Sequence, residues 1–245
     1  MYRNTKPNGT TAPRFRRIVD RLRAEIIAGR LPEHAALPSE RAVAGQHGVS
    51  RMTARRALEA MEAEGLAYSA ERKGRFVSPP RLNYPVSSMA NFLTDAEKNG
   101  VDLEVQVIAT GERTADAALA GILAVPEGEA LSEVTRLFLN GGHATFLETE
   151  YVLASLYADL LEAHDAATKP LAEQRFSPFG HDADIVIRMR PLSAEEAELL
   201  GLSPNQAGIE AEQLVRDETG QAFCFSRQIW RGELAQFSAR AIVNR

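Results

Sequence analysis

The chain has 245 residues, 44% hydrophobic and 25% charged, with a formal net charge of −5, a composition that suits a globular protein with room for one large or two modest domains. One cysteine, Cys224, excludes a disulfide framework and a thiolate metal cluster, and its expected place is a small buried apolar position. Apolar runs of only a few residues exclude a membrane span, and the polar start MYRNTKPNGTTAP lacks the apolar core of an export signal, so a cytoplasmic protein with no membrane partner is expected. The net charge hides a division: residues 1–81 hold 16 lysines and arginines against 8 acids, residues 82–245 hold 12 against 25. A basic third joined to an acidic remainder suggests two domains with different partners, the first a polyanion, although a solvated basic face would look the same.

Along the chain, residues 1–13 read as a disordered arm rich in Thr, Asn, Pro and Gly. Phe15, Ile18, Val19, Leu22 and Ile26 recur at helical spacing until Gly29 stops the pattern. A short helix capped by Ser39 follows and runs to about Gln46, with Gly48 suited to the left-handed position after it. Ser50 caps a third helix, in which Ala54, Ala57, Leu58 and Met61 form an apolar stripe while Arg55 and Arg56 point mostly away; Gly65 ends it. LAYSAERKGRFVS then predicts two short strands around a charged turn. Three helices and a hairpin make a winged helix-turn-helix over residues 14–77.

SPPRLNYPVSS, residues 78–88, has three prolines and no periodicity, and reads as a linker. Beyond it lies an internal duplication: residues 115–152 and 193–230 align without gaps at an offset of 78 residues. Each copy predicts a short helix, a proline turn, a strand, a glycine turn (NGGH or ETGQ) and a second strand, with further strands expected at 104–110 and 184–189. A helix-rich stretch over about 155–174 joins the halves. The expected fold class is α+β in two domains, the second, 89–245, an antiparallel sheet of about six strands with helices on one side.

The third helix carries the chemistry of duplex recognition. A major groove admits an α-helix entering N-terminus first, hydroxyls and unpaired N–H groups at its start reach phosphates, and arginines one turn apart can fork onto guanine edges. SRMTARR supplies Ser50 and Thr53 for the first task and Arg51 and Arg55 for the second. A basic amphipathic helix in an unrelated bundle would share this pattern, but the preceding PSERAVAGQHGV helix-turn and the basic hairpin favour DNA.

These residues carry a resemblance. LPSER, GVSRMTARRAL and EGL, within residues 14–77, resemble the DNA-binding domain of the GntR family of bacterial transcription regulators. VPEGEAL, LETEYV and AEEAELLGL resemble the effector-binding UTRA domain of its HutC subfamily, a fold shared with chorismate lyase. The resemblance implies DNA contacts from Arg41, Ser50, Arg51, Thr53 and Arg55, and from a wing at Arg72, Gly74 and Arg75. The family's wing commonly reads Gly-Arg-Gly-Thr, whereas this chain has Arg-Lys-Gly-Arg at 72–75. Contact of Arg72 and Arg75 with phosphates is expected, with entry of either into a narrow minor groove as the alternative.

In the second domain, no nucleophile elbow, phosphate loop, HExxH or CxxC is present, and the five histidines lack metal-ligand spacing. GHDAD at 180–184 reads as a polar turn, so neither metal nor cofactor is expected. Arg136 and Glu148 fall in the paired strands of the first copy, where they could pair with each other or face water, because the register of NGGH is open. Ser226, Arg227 and Trp230 fall in the second copy, with Tyr151 and Thr168 as lesser candidates. The resemblance implies that Arg136 and Glu148 hold a small polar or anionic effector; Phe138 stands where many relatives have a second arginine, which counts against a doubly charged phosphate. RLNYPVSS resembles the phosphonate-uptake regulators, with urocanate and an amino-sugar phosphate as other effectors. The expectation is a homodimer on double-stranded operator DNA, not an enzyme, controlled by a small-molecule effector. A ligand-independent regulator and an enzyme fused to a DNA-binding domain are the rivals.

Overall fold

The computed structural model describes residues 13–70, 73–86, 92–155, 182–203 and 206–240. The arm expected at 1–13 (apart from Pro13), the joining stretch beyond residue 155, Arg72 and Thr168 lie outside the described residues. The chain divides into two compact units, 1–79 and 80–245.

In the first unit, α1 (Arg14–Ile27), α2 (Glu40–His47) and α3 (Arg51–Ala63) precede a hairpin of β1 (Ala67–Ala70) and β2 (Gly74–Val77). Local chemistry sets the boundaries. Ser39 Oγ accepts the Ala42 N–H and Ser50 Oγ accepts the Thr53 N–H, so each helix start has a donor satisfied by its cap. Between them Gly48 sits at φ 59°, the left-handed conformation that turns α2 into α3. Ile18, Val19 and Leu22 of α1 meet Val43 of α2, the Ala54, Ala57, Leu58 and Met61 stripe of α3, and Val77 of the hairpin in one buried cluster. The hairpin is tied back by Leu37 N–H to Arg75 O at 2.8 Å and His34 N–H to Val77 O at 3.0 Å.

The second unit contains β3 (Leu82–Pro85), α4 (Phe92–Lys98), β4 (Leu103–Thr114), α5 (Ala117–Leu123), β5 (Ala130–Asn140), β6 (His143–Leu153) and β7 (Asp182–Pro191), then α6 (Ala194–Leu200), β8 (Ala207–Arg216), β9 (Ala222–Trp230) and β10 (Ala235–Ser238). The six long strands form an antiparallel sheet in the order β4-β5-β6-β9-β8-β7, so the two duplicated halves meet at β6 and β9. The duplication extends to irregularities: Thr145 in β6 and Phe223 in β9, 78 residues apart, are each the extra residue of a β-bulge.

Two expectations are corrected. The 78–88 stretch is not all linker, because β3 lies within it and pairs in parallel with β10. Its alternation places Leu82 and Tyr84 in the core of the second unit and leaves Asn83 exposed. Nor are the helices confined to one side. α5 and α6 cover one face through Leu123 and Leu200, whereas Phe92 and Ala96 of α4 pack with Leu82 and Tyr84 on the other.

The centre of that second face is a stack of aromatic rings. Phe146 lies 4.1 Å from Phe138 and 3.9 Å from Trp230, centroid to centroid, with interplanar angles of 9° and 13°. Because Phe146 joins three neighbouring strands and is 1% exposed, Phe146→Ala is expected to cost about 3–5 kcal/mol. Differential scanning calorimetry should show a lower melting temperature for the second unit, with the transition of the first unaffected.

Candidate nucleic-acid interface and ligand site

The apolar stripe of α3 is spent on the core, which leaves its other side to solvent. Arg51, Met52 and Arg55 are exposed there, Met52 at 71%. The Ser50 and Thr53 hydroxyls lie 3.0 Å apart at the helix start. Arg55 Nε donates to Glu59 Oε1 at 2.8 Å, one turn on, and this bond is the first cause of its raised pKa. Arg41 on α2 and Arg51 are exposed and carry no ion pair among the described residues. Pro13, Arg14 and Phe15 border the same surface, and with Met52, Thr53, Arg55, Arg56 and Glu59 they line a groove of about 590 Å³. Met52, two residues before Ala54 and off the apolar stripe, adds an exposed apolar side chain to this surface that the sequence reading left unassigned.

The wing differs from expectation. Gly74 adopts φ 105°, a conformation that explains glycine there. Arg75 does not project to solvent: its side chain is 23% exposed, its Nε donates to Glu62 Oε1 at 3.1 Å, and its Nη1 donates to Glu40 Oε1 at 3.4 Å. It braces β2 against α2 and α3, because two carboxylates converge on the inner side of the strand. Arg75 is therefore a positioning residue for the wing in this structure, not an outward-reaching phosphate ligand.

The second unit gathers some of the expected ligand residues and separates others. Arg136 pairs directly with Glu148 across the β5–β6 hairpin. On the same face lie Glu150, Ser226, Gln228 and Trp230, as strand alternation from the paired positions requires. Arg136 Nη1 donates to Glu148 Oε2 at 3.3 Å and to Glu150 Oε2 at 2.9 Å; all three side chains are almost wholly buried. Gln228 Nε2 donates to Glu148 Oε1 at 2.9 Å, and Gln228 Oε1 accepts from Trp230 Nε1 at 3.0 Å, so the polar cluster runs straight into the aromatic stack. Ser226 Oγ donates to Gln213 Oε1 at 3.5 Å, and Gln213 Nε2 donates to the Tyr84 hydroxyl. Cys224 is buried beside Glu150, and burial pushes its thiol well above the usual range, as suits an inert core position.

Tyr151 and Arg227 are on the opposite face. Tyr151 packs with Leu119, Leu123 and Phe225 beneath α5, and Arg227 Nη2 donates to Glu212 Oε1 at 3.1 Å on the exposed side. Each adjoins a residue of the cluster in sequence, and each is one position out of step with it. Period two would have excluded both, and would have added Glu150 two residues after Glu148 and Gln228 two after Ser226.

Burial is the first cause that raises the Glu148 pKa to about 7; Glu150 adds to it, and Arg136 and Gln228 oppose it. Two carboxylates share one guanidinium, and a proton on Glu148 relieves the surplus charge.

Comparison with known proteins follows the same division. Residues 15–77 match the model for bacterial regulatory proteins of the gntR family, and residues 98–236 match the UTRA domain. The HTH-type transcriptional repressor NagR of Bacillus subtilis is 27% identical over 232 residues, covering 92% of this chain and 93% of that protein. The HTH-type transcriptional repressor PhnF of Mycolicibacterium smegmatis is 30% identical over 206 residues, 82% of either chain. The histidine utilization repressor of Pseudomonas aeruginosa is 26% identical across 94% of this chain and 87% of its own. Among solved structures, PhnF from Mycobacterium smegmatis superposes with a TM-score of 0.64 and 26% identity over 94% of this chain and 100% of that one.

The Glu148 shift has a definite sign. The folded state binds the proton more tightly than the unfolded one, so the contribution is complete below pH 4.5 and is lost as pH rises to about 7. Stability should fall across that window by at most about 1.4 kcal/mol per pH unit for this group. Glu148→Gln is expected to flatten the dependence, measured by urea denaturation at pH 5, 6 and 7.

Proposed function

The chain belongs to the gntR family of bacterial regulatory proteins and carries a UTRA domain, and on that premise we propose that it represses transcription from an operator that it releases on binding a small polar or anionic metabolite. It is a DNA-binding transcription regulator with an effector-binding domain, not an enzyme. The observation that carries the proposal is the exposed side of α3, where Arg51 and Arg55 stand one turn apart beyond a capped helix start. In the proposed complex these arginines meet guanine edges or phosphates, and Ser50 and Thr53 meet phosphates. Arg41 contacts the backbone from α2, and Met52 offers an apolar contact to a thymine methyl. Arg55 exchanges Glu59 for DNA on binding. Arg72 and Gly74 remain candidate wing contacts.

The effector site proposed is the buried cluster around Arg136 and Glu148, with Ser226 and Trp230 beside it; Thr168 remains a candidate from sequence. A guanidinium already shared by two carboxylates accepts an anionic group most readily when Glu148 is protonated. Phe138 faces the same side, where it supplies ring surface and no second positive charge, which supports a ligand with at most one strongly anionic group. Effector binding changes DNA affinity only through its differential affinity for two arrangements of the protein. Because β3 is paired with β10, a shift of that strand pair passes directly into the chain that leads back to the first unit.

A homodimer in the cytoplasm completes the proposal, since a two-fold reader matches two half-sites. β4 and β7 are the outer strands of the sheet and expose Val107, Ile108, Val186, Ile187 and Met189, the last at 72%. We place the second copy against one of these edges, like strand to like strand, because outer strands with exposed apolar side chains invite pairing and a two-fold axis brings identical edges together. Val107→Asp with Met189→Asp should convert the protein to a monomer in sedimentation velocity experiments; an unchanged dimer refutes this interface.

The regulator itself is tested by fluorescence anisotropy on its own promoter fragment. Arg51→Ala or Arg55→Ala should each weaken specific binding by about 5-fold to 150-fold, corresponding to roughly 1–3 kcal/mol. Titration with metabolites that raise the melting temperature of the second unit should release the fragment. Indifference of operator affinity to every such ligand would overturn control by an effector.

A further inference from the structure

Five arginines lie in α1, and the structure uses them differently. Arg16 and Arg23 both pair with Glu64 at the end of α3, and thereby hold α1 to α3. Arg14 and Arg17 are exposed and have no ion pair among the described residues. Arg21, whose side chain is 68% exposed, has only a 3.6 Å contact with Glu25 on its own helix among the described residues.

Arg14, Arg17 and Arg21 form one stripe, at positions i, i+3 and i+7. With Ile18, His47, Gly48 and Val49 they line a cleft of about 460 Å³ between α1 and the turn that leads into α3. Arg14 also borders the groove containing Thr53 and Arg55. The stripe therefore adjoins the recognition surface at its N-terminal end and extends it along a second helix. From Arg14 to Arg21 the helix rises about 10 Å. One strand of B-DNA carries a charge every 3.4 Å or so along its axis, so that length matches about three phosphates.

We propose that the Arg14–Arg17–Arg21 stripe of α1 is a second DNA contact, which takes consecutive phosphates of one strand beside the groove that α3 enters. The proposal rests on the DNA-binding reading of α3 and adds a sequence-independent surface to it. The division of labour follows from the chemistry: guanidiniums aimed at phosphates add affinity and salt dependence, whereas those aimed at base edges add discrimination.

The test measures binding of the full chain to its promoter fragment and to a random-sequence duplex of the same length, from low to moderate salt. For the variant R14Q/R17Q/R21Q, the log–log slope of affinity against salt should be shallower by about 3, at about 0.9 for each phosphate that is no longer neutralised. Affinity should fall by the same factor on both duplexes. R14K/R17K/R21K, which keeps the charges, should retain the slope, and R17Q alone should lower it by about 1. Arg51→Ala should instead narrow the gap between promoter and random duplex. An unchanged slope in the glutamine variants, or a weakening confined to the promoter, overturns the α1 contact and leaves the reading of α3 standing. Failure of the unmodified chain to bind either duplex overturns both.

Discussion

The guanidinium of Arg136 lies between Glu148 and Glu150 in the middle strands of the sheet, nearly all of it out of water. Two carboxylates around one guanidinium make an expensive arrangement, because desolvation opposes the Coulombic gain and an apolar replacement often folds as well or better. Beside it Gln228 links one carboxylate to Trp230, and a separate polar line runs from Ser226 through Gln213 to Tyr84, whose ring meets Trp230 edge-on with centroids 5.3 Å apart. Tyr84 belongs to β3, the first strand of the second unit. The polar cluster and the first strand of this unit thus meet at the Tyr84–Trp230 ring contact; in the function proposed above, a ligand that reorganises the cluster would act there on the part of this unit nearest in sequence to the DNA-binding unit.

One residue makes that cluster. At the closed end of the β5–β6 hairpin, Asn140 pairs with His143 around Gly141 and Gly142, both at positive φ. Continued without interruption, this register would set Leu147 opposite Arg136. The bulge at Thr145 advances β6 by one position and puts Glu148 there instead. A side chain's face and its cross-strand partner change together with such a step, so the extra residue decides whether the arginine meets a carboxylate or a leucine.

The first unit solves a different electrostatic problem. Its surplus of arginine serves a polyanion, but arginines also hold the three helices and the wing together. Acidic side chains sort them. Glu64 takes Arg16 and Arg23, while Glu62 and Glu40 take Arg75. Phe15 lies under Arg56, whose guanidinium carbon is 4.2 Å from the ring centre. Among the described residues, the arginines left over face outward on α3, α2 and one side of α1, and at Arg30 in the turn after α1. Net charge reports the total and is silent on this partition, which is why Arg75 reads as a wing contact until its partners are located.

Sequence alone determined the helices of the first unit, the caps at Ser39 and Ser50, the turn at Gly48 and the duplicated strand-helix-hairpin halves. Each of these depends on chemistry within a few residues or on a repeat along the chain. It also supplied Arg136 and Glu148, by composition and resemblance, without their register. Only the tertiary structure decided that β3 leaves the proline-rich stretch to pair with β10, because parallel pairing across about 150 residues has no local signature. It likewise placed Tyr151 and Arg227 behind the sheet, Glu150 and Gln228 within the cluster, and α4 opposite α5 and α6. Faces, bulges and ion-pair choices arise from contacts distant in sequence, and a linear pattern specifies them only after the pairing is known.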